Sequence, residues 1–221
     1  MDNNATFLRQ LDIYNPDIFN GKIHIIGVGG IGSPTGLLLG KMGFKEIVLY
    51  DFDTVEQHNC PNQLFTLADI GKSKVEALQA HIKEFGYDNT NVEIVNDKFN
   101  ADKLSDEDIV IMGVDSMTAR KEIFYMLRGK VKFFIDARMG GELFTLYTIE
   151  SDEDNVFYSD EDILYSSSEA TQLPCTAKAI LYNTFVIAGL IARQVCKKLK
   201  NSDEVYRVVT FDLNLLEFIK E

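Results

Sequence analysis

Apolar residues along this chain fall into two alternating rhythms, short solid runs and helically spaced series. Lys22 to Gly27 (KIHIIG) is a solid run that ends in glycines, as a buried strand does. From Gly30 to Met42, Ile31, Leu37, Leu38, Leu39 and Met42 are spaced as on a helix. Glu46 to Tyr50 reads as a second strand, and Lys72 to Phe85 brings Val75, Leu78, Ile82 and Phe85 onto one helix face. Further strands are predicted at Val92–Val95, Asp108–Val114 and Val131–Ile135, with a helix at Met117–Leu127 between the last two. Strands alternating with helices predict a parallel α/β sheet of Rossmann-like type with helices on both faces. The rhythm then changes. Glu142–Ile149 follows the fifth strand after only a Gly-Gly turn, and so short a connection forces antiparallel pairing. Ser151 to Thr171 reads as acidic and irregular, Thr176 to Lys200 as a long helix, and Glu204 to Leu213 as a last strand, antiparallel like the sixth. With no internal repeat and no Pro-, Gly- or Ser-rich linker, residues 1–221 are expected to form one domain with an acidic excursion at about 151–175.

Composition narrows the function classes. The formal net charge of −12 argues against bulk binding to nucleic acid or an anionic membrane, though a local site can oppose the global sign. Three cysteines, Cys60, Cys175 and Cys196, form no CxxC pair, so no four-cysteine structural zinc site is expected. Their sparse, odd number fits a reducing compartment. The N-terminus lacks the basic and apolar regions of a signal peptide. The most apolar run, Ala179–Ala192, contains Asn183 and is too short to span a bilayer. The expectation is a cytoplasmic protein without membrane contact.

The chemistry starts at the first strand's end. In IIGVGGIGSPTG, Gly27, Gly29 and Gly32 make a G-x-G-x-x-G pattern, with Gly30 added. Such a loop permits a tight turn, lets backbone approach a phosphate, and turns N–H groups of a helix N-terminus toward an anion. Asp51 ends the second strand, 19 residues after Gly32, where a carboxylate can accept both hydroxyls of a ribose. The pattern points to a nucleotide and leaves NAD, FAD and ATP open. GKS at Gly71–Ser73 is not a P-loop, because the required earlier glycine is Thr66.

Polar residues continue past the second strand as Asp51-x-Asp53-x-Val55-x-x-x-Asn59-x-x-x-Gln63. Asp69-Ile70-Gly71-x-x-Lys74 and Asp115-x-x-x-x-Arg120 follow. Across these blocks, over about residues 6 to 212, the chain resembles the MoeB/ThiF superfamily, which shares the adenylating domain of ubiquitin-activating enzymes. The resemblance implies an ATP-dependent adenylyltransferase. In the family a C-terminal carboxylate attacks the α-phosphorus of ATP, pyrophosphate leaves, and an acyl-adenylate remains. The implied partner is a ubiquitin-like protein, a sulfur-carrier protein or a peptide C-terminus. Asp51 would hold the ribose beside the glycine loop, and Lys74 would reach the α- and β-phosphates as a point charge. Asp115, just past the fourth strand, would hold Mg²⁺. Asn59 and Gln63 would hydrogen-bond phosphate or orient the loop, and Asp53 would line the site or cap a turn.

One position departs from the family pattern. Where relatives place an arginine on the ATP phosphates, this chain has Asn62, and an amide cannot neutralise charge. Arg138, in IDARMGGE, is the candidate substitute cation; its other reading is a salt bridge to Asp136 or Glu142. FLRQLDI resembles the family's N-terminal Arg-Gln segment, so Arg9 would reach the site of a partner subunit, implying a homodimer. Cys175 matches a place where several relatives use a cysteine in thioester or persulfide chemistry. Cys60 and Cys196 read as structural. From Met139 to Ala177 there are nine acids and no Lys or Arg, a solvated stretch or an acidic cover over a partner's tail. Two other classes stand beside the adenylyltransferase: a nucleotide-binding module or pseudoenzyme, suggested by Asn62, and an NAD(P)-dependent oxidoreductase, supported only by the glycine loop and Asp51.

Overall fold

A computed structural model describes residues 3–165 and 180–221. Helix α1 (Asn3–Phe7) precedes β1 (Ile23–Ile26), α2 (Gly32–Lys41), β2 (Glu46–Tyr50), α3 (Lys74–Phe85) and β3 (Asn91–Val95). Then follow β4 (Ile109–Met112), α4 (Met117–Leu127), β5 (Phe133–Gly140), β6 (Leu143–Ile149), α5 (Asp152–Tyr158), α6 (Leu181–Leu199), β7 (Val208–Asp212) and β8 (Glu217–Lys220).

All eight strands form one sheet in the order β3-β2-β1-β4-β5-β6-β7-β8. Neighbours from β3 to β5 run parallel, and β6, β7 and β8 pair antiparallel. The Rossmann-like mixed sheet expected from the sequence is therefore present. Its antiparallel half begins where expected: Gly140 pairs with Leu143 across the tight turn, with Gly141 at φ +63°.

Successive strand residues point to opposite faces, so each solid apolar run feeds two cores. Ile23 and Ile25, Ile47 and Leu49, and Ile109 and Ile111 face α2, α3 and α6, whose Leu39, Leu78, Ile82, Ile187 and Ile191 complete one core. Ile26, Val48, Val110, Met112 and Phe134 face the other way, against Ile123, Phe124 and Leu127 of α4 and Tyr158 of α5.

Three elements differ from the sequence reading. The acidic stretch after Ser151 opens as a helix, because Ser151 Oγ accepts the Asp154 N–H (3.1 Å) and Asp152, Glu153 and Asp154 occupy its first turn. Acids there are favoured by the helix dipole. A further strand, β8, follows the strand read as last, and α1 lies ahead of all those expected. The remainder of the acidic excursion and the start expected for the long helix, residues 166–179, lie outside the described residues; α6 itself begins at Leu181, after an extended Ile180.

Candidate functional site

β1 sits where the strand order reverses, between β2 and β4. In such sheets the loops leaving the carboxyl ends diverge and open a crevice. Ile26 is level with Tyr50 and Met112, so the loops that start at Gly27, Asp51 and Gly113 leave side by side. Gly27 adopts φ +86°, and a methyl group on Gly32 would collide with the Gly27 carbonyl oxygen. Only glycine fits both positions. Asp51 joins the loops, its Oδ2 accepting the Val28 N–H (2.7 Å) and its Oδ1 the Asp53 N–H (2.9 Å). A carboxylate oxygen offers two lone pairs, so each can accept one further hydrogen bond from a ligand hydroxyl.

Lys74 is delivered by a small antiparallel clasp. Val55 and Gly71–Lys72 exchange backbone hydrogen bonds, Thr54 bridges to Ser73, and the Lys74 N–H donates to the Asp53 carbonyl (3.0 Å). The Lys74 ammonium, buried at the N-terminus of α3, donates to Asp53 Oδ2 (2.8 Å). Asp53 is thus the counter-ion of Lys74. Asp69 holds the far side of the clasp, accepting from the Thr66 N–H (2.9 Å) and hydroxyl (2.7 Å), from Lys72 (2.9 Å) and from His81 (2.7 Å). Burial opposes its charge, but these hydrogen bonds outweigh that and hold its carboxyl well below the usual range. Asn59 is buried, and its Oδ1 accepts the Glu56 N–H (2.8 Å), closing a short 3₁₀ turn at Gln57–Asn59.

Asn62 and Gln63 meet the glycine loop. A methyl on Gly30 would lie 3.7 Å from the Asn62 carbonyl oxygen, and one on Gly29 would lie 3.9 Å from Gln63 Nε2. Ser33 Oγ donates to the Gly29 carbonyl (2.7 Å) and accepts the Leu64 N–H (3.0 Å), so the two segments are tied together. Asn62 Oδ1 and Gln63 Oε1 are buried without a hydrogen-bond partner among the described residues. Either amide turned over presents NH₂ donors instead, the polarity a phosphate requires. At the clasp opens a pocket of about 290 Å³ whose lining includes Phe52, Asp53, Glu56, His58, Asn59 and Lys74 but neither the glycine loop nor Asn62 and Gln63. A glycine cradle, unpartnered amides and a buried lysine suit the phosphate chain of a nucleotide.

Asp115 lies exposed just past β4. Its loop is pinned by Arg120, which donates to the Val114 carbonyl, to Asp136 and to the Ala137 carbonyl (3.1 Å). Asp136 is fully buried and also accepts Arg138 Nε (2.6 Å) and the Tyr158 hydroxyl (2.7 Å). Arg138 spends its other nitrogens on the Ile163 carbonyl (2.8 Å) and Tyr158 (3.3 Å), with its guanidinium 4.6 Å from the Tyr147 ring centroid. Burial works against its charge, yet Asp136 holds it more firmly protonated than an ordinary arginine. The salt bridge to Asp136 is therefore formed, and Arg138 is not among the pocket's lining residues. Among the described residues no cluster of three or more His, Cys, Asp or Glu could hold a metal.

Arg9 is exposed, beside Gln10, whose Nε2 donates to the Met42 carbonyl (2.8 Å) at the far end of α2. Ten helical residues, roughly 15 Å, separate it from its own glycine loop. Cys175 lies outside the described residues. Cys196 is buried, which pushes its thiol up to about 11, and Cys60 is half-buried in the polar loop.

Of the residues named from sequence, Asn59 and Lys74 line the pocket, while Asp51 and Gln63 lie at the glycine loop. Sequence spacing missed His58 on the pocket wall and Asp136 as a hub. Asp136 is 16 residues from Arg120, and nothing local marks such a pair.

The family model described as ThiF family matches residues 11–220. Ubiquitin-like modifier-activating enzyme 5 of Culex quinquefasciatus is 37% identical over 79 residues, 36% of this chain and 19% of that one. The sulfur carrier protein ThiS adenylyltransferase of Escherichia coli K12 is 31% identical over 111 residues, 48% of this chain and 44% of that one. The matched segments thus take in less than half of either relative. E. coli MccB, solved with ATP, superimposes with a TM-score of 0.72 at 20% identity, covering 99% of this chain and 71% of that one. Solved with MccA, it gives 0.76 at 20% identity, covering 100% and 72%. At this identity the likeness establishes the fold.

Proposed function

The chain belongs to the ThiF family, and from that premise we propose that it is an ATP-dependent adenylyltransferase. Its acyl substrate is the C-terminal carboxylate of a ubiquitin-like protein, a sulfur-carrier protein or a peptide. The observation that carries this reading is the buried Lys74 ammonium on a pocket that Asn59 also lines, with the glycine loop tied through Ser33 to the segment that follows Asn59. A substrate carboxylate oxygen bonds to the α-phosphorus, the bond to the bridging oxygen breaks, and pyrophosphate departs with the electron pair. Asp51 accepts the ribose hydroxyls. Lys74 stabilises charge growing on the α- and β-phosphate oxygens, and Asn59, Asn62 and Gln63 donate to phosphate. Asp115 would hold Mg²⁺, which would supply further charge neutralisation. Arg9 completes the site from a second subunit of a homodimer, in keeping with its distance from its own glycine loop.

Calorimetric titration with ATP·Mg²⁺ tests the reading, with NAD as comparator and Asp115→Ala as control. Metal-dependent ATP binding that Asp115→Ala loses supports adenylation, and carboxylate-dependent release of pyrophosphate completes the case. Preference for NAD returns the oxidoreductase reading. A second reading, a binding module without turnover, is favoured by the full engagement of Arg138 with Asp136, Ile163 and Tyr158. ATP binding with no pyrophosphate release for any acyl donor supports it.

A further inference from the structure

The pocket beside Lys74 has the wrong charge for its proposed ligand. Two carboxylates, Asp53 and Glu56, stand on its lining against one ammonium, and that ammonium is already paired with Asp53 at 2.8 Å. A triphosphate carries several negative charges, and like charge facing it costs binding energy. The next position where a cation would help, residue 62, is an amide. One further lining side chain can change the balance, His58. Its Nδ1 lies 3.3 Å from Glu56 Oε2, and its Nε2 has no partner among the described residues. It sits in the 3₁₀ turn Gln57–Asn59, next to buried Asn59, so the Glu56–Asn59 capping contacts fix its backbone at the pocket wall.

We propose that His58 is the conditional cation of the nucleotide site, binding the phosphate chain as imidazolium and making nucleotide affinity depend on pH. The inference rests on the adenylyltransferase reading and goes further by naming the group that compensates for the absent arginine. Imidazole is the side chain whose charge ordinarily changes between about pH 5 and 8. In the protonated form it donates through Nδ1 to Glu56 and through Nε2 into the pocket, cancelling one carboxylate and facing the ligand with an N–H. Neutral, it leaves Glu56 unopposed at the phosphates. The charged groups that surround it on the lining are Glu56 and Asp53 on its own loop and Lys74 from α3.

The test is titration calorimetry with ATP·Mg²⁺ at pH 6.0 and 8.0, in buffers of differing ionisation enthalpy, for the unaltered chain, His58→Gln and Glu56→Gln. ATP itself titrates in this range, but its titration is common to the unaltered chain and His58→Gln, so the readout is the difference between those two. Between pH 8.0 and pH 6.0 the unaltered chain should gain about tenfold more affinity than His58→Gln gains, as expected for one charge-assisted contact of about 1.4 kcal/mol. Proton uptake on binding should accompany it and be reduced in His58→Gln. Glu56→Gln should bind more tightly than the unaltered chain at pH 8.0, because one repelling carboxylate is gone. ATP binding whose pH dependence is the same in the unaltered chain and in His58→Gln overturns the role of His58 and leaves the adenylyltransferase reading standing. Absence of ATP binding at both pH values overturns both.

Discussion

The two faces of the sheet bury their side chains by different means. Toward α2, α3 and α6 the strands present Ile23, Ile25, Ile47, Leu49, Ile109, Ile111 and Ile135, and the core is held by packing. Toward α4 and α5 the same strands sink ionisable groups among the hydrocarbons. His24 lies between the Tyr50 hydroxyl (2.9 Å) and Asp108 (3.1 Å), and Asp136 joins Arg120, Arg138 and Tyr158. An apolar core tolerates exchange among side chains of like volume, whereas a buried ionic hub is costly when any member is lost. The ionic hub also has directional work. Through Arg120 it fixes the Val114 carbonyl, one residue before Asp115, and through Arg138 it fixes the segment at Ile163. The packed face supports the fold, and the ionic face sets the position of the loop that carries Asp115.

The sharpest way to break this comparison is Asp136→Ala. It strands two buried guanidiniums, and a loss of about 3–5 kcal/mol in denaturant unfolding is expected. A loss below that of a packed-face truncation contradicts the contrast. Leu78→Ala, at a fully buried position of α3, is the matching truncation and should cost about 2–4 kcal/mol through its cavity. Gly32→Ala should cost about 1–3 kcal/mol by forcing the glycine loop off the Gly27 carbonyl. Its stronger signature is loss of ATP binding by calorimetry while the far-UV spectrum is kept. The smallest effect is a slope. Burial pushes His24 below the ordinary histidine value of 6.5, against the pull of Asp108. The unfolded chain therefore takes up a proton near pH 6.5 that the native chain resists. Stability from this site is intact above that pH and is lost as pH falls below it, by at most about 1.4 kcal/mol per pH unit. His24→Gln should flatten unfolding free energy against pH in the window just below 6.5. An unchanged slope sinks the assignment.

The fold was legible because both of its faces are written in solid apolar runs at strand spacing, and the antiparallel turnover because Gly140-Gly141 leaves no room for a crossover. The acidic helix α5 was not, since Asp152–Asp154 reads as a solvated run until Ser151 is recognised as its cap. Of the candidate site, Gly27, Gly32 and Asp51 stood out by their spacing after strand ends, and Lys74 through the family resemblance. Asp53 gained a specific role only in three dimensions, as the counter-ion of Lys74. Arg138 carried two readings from sequence, of which the salt bridge to Asp136, two residues away on β5, is formed, whereas its bonds to Tyr158 of α5 and to Ile163 follow from no local pattern. His58 looked like one more polar residue because the pocket it lines is assembled from a loop and a distant helix start.

The sheet stops at β8 with every one of its residues exposed, and Leu215, Leu216, Phe218 and Ile219 stand open around it. A strand that among the described residues has one unpaired side and apolar flanks is a template on which another chain can crystallise its own backbone. Glu217, Lys220 and Glu221 are the local charges that oppose this, and the overall charge of −12 keeps molecules apart. That repulsion vanishes near pH 4.7. In purification and storage, acidity will therefore set how long the protein remains dispersed, and the first molecules to join should do so through β8.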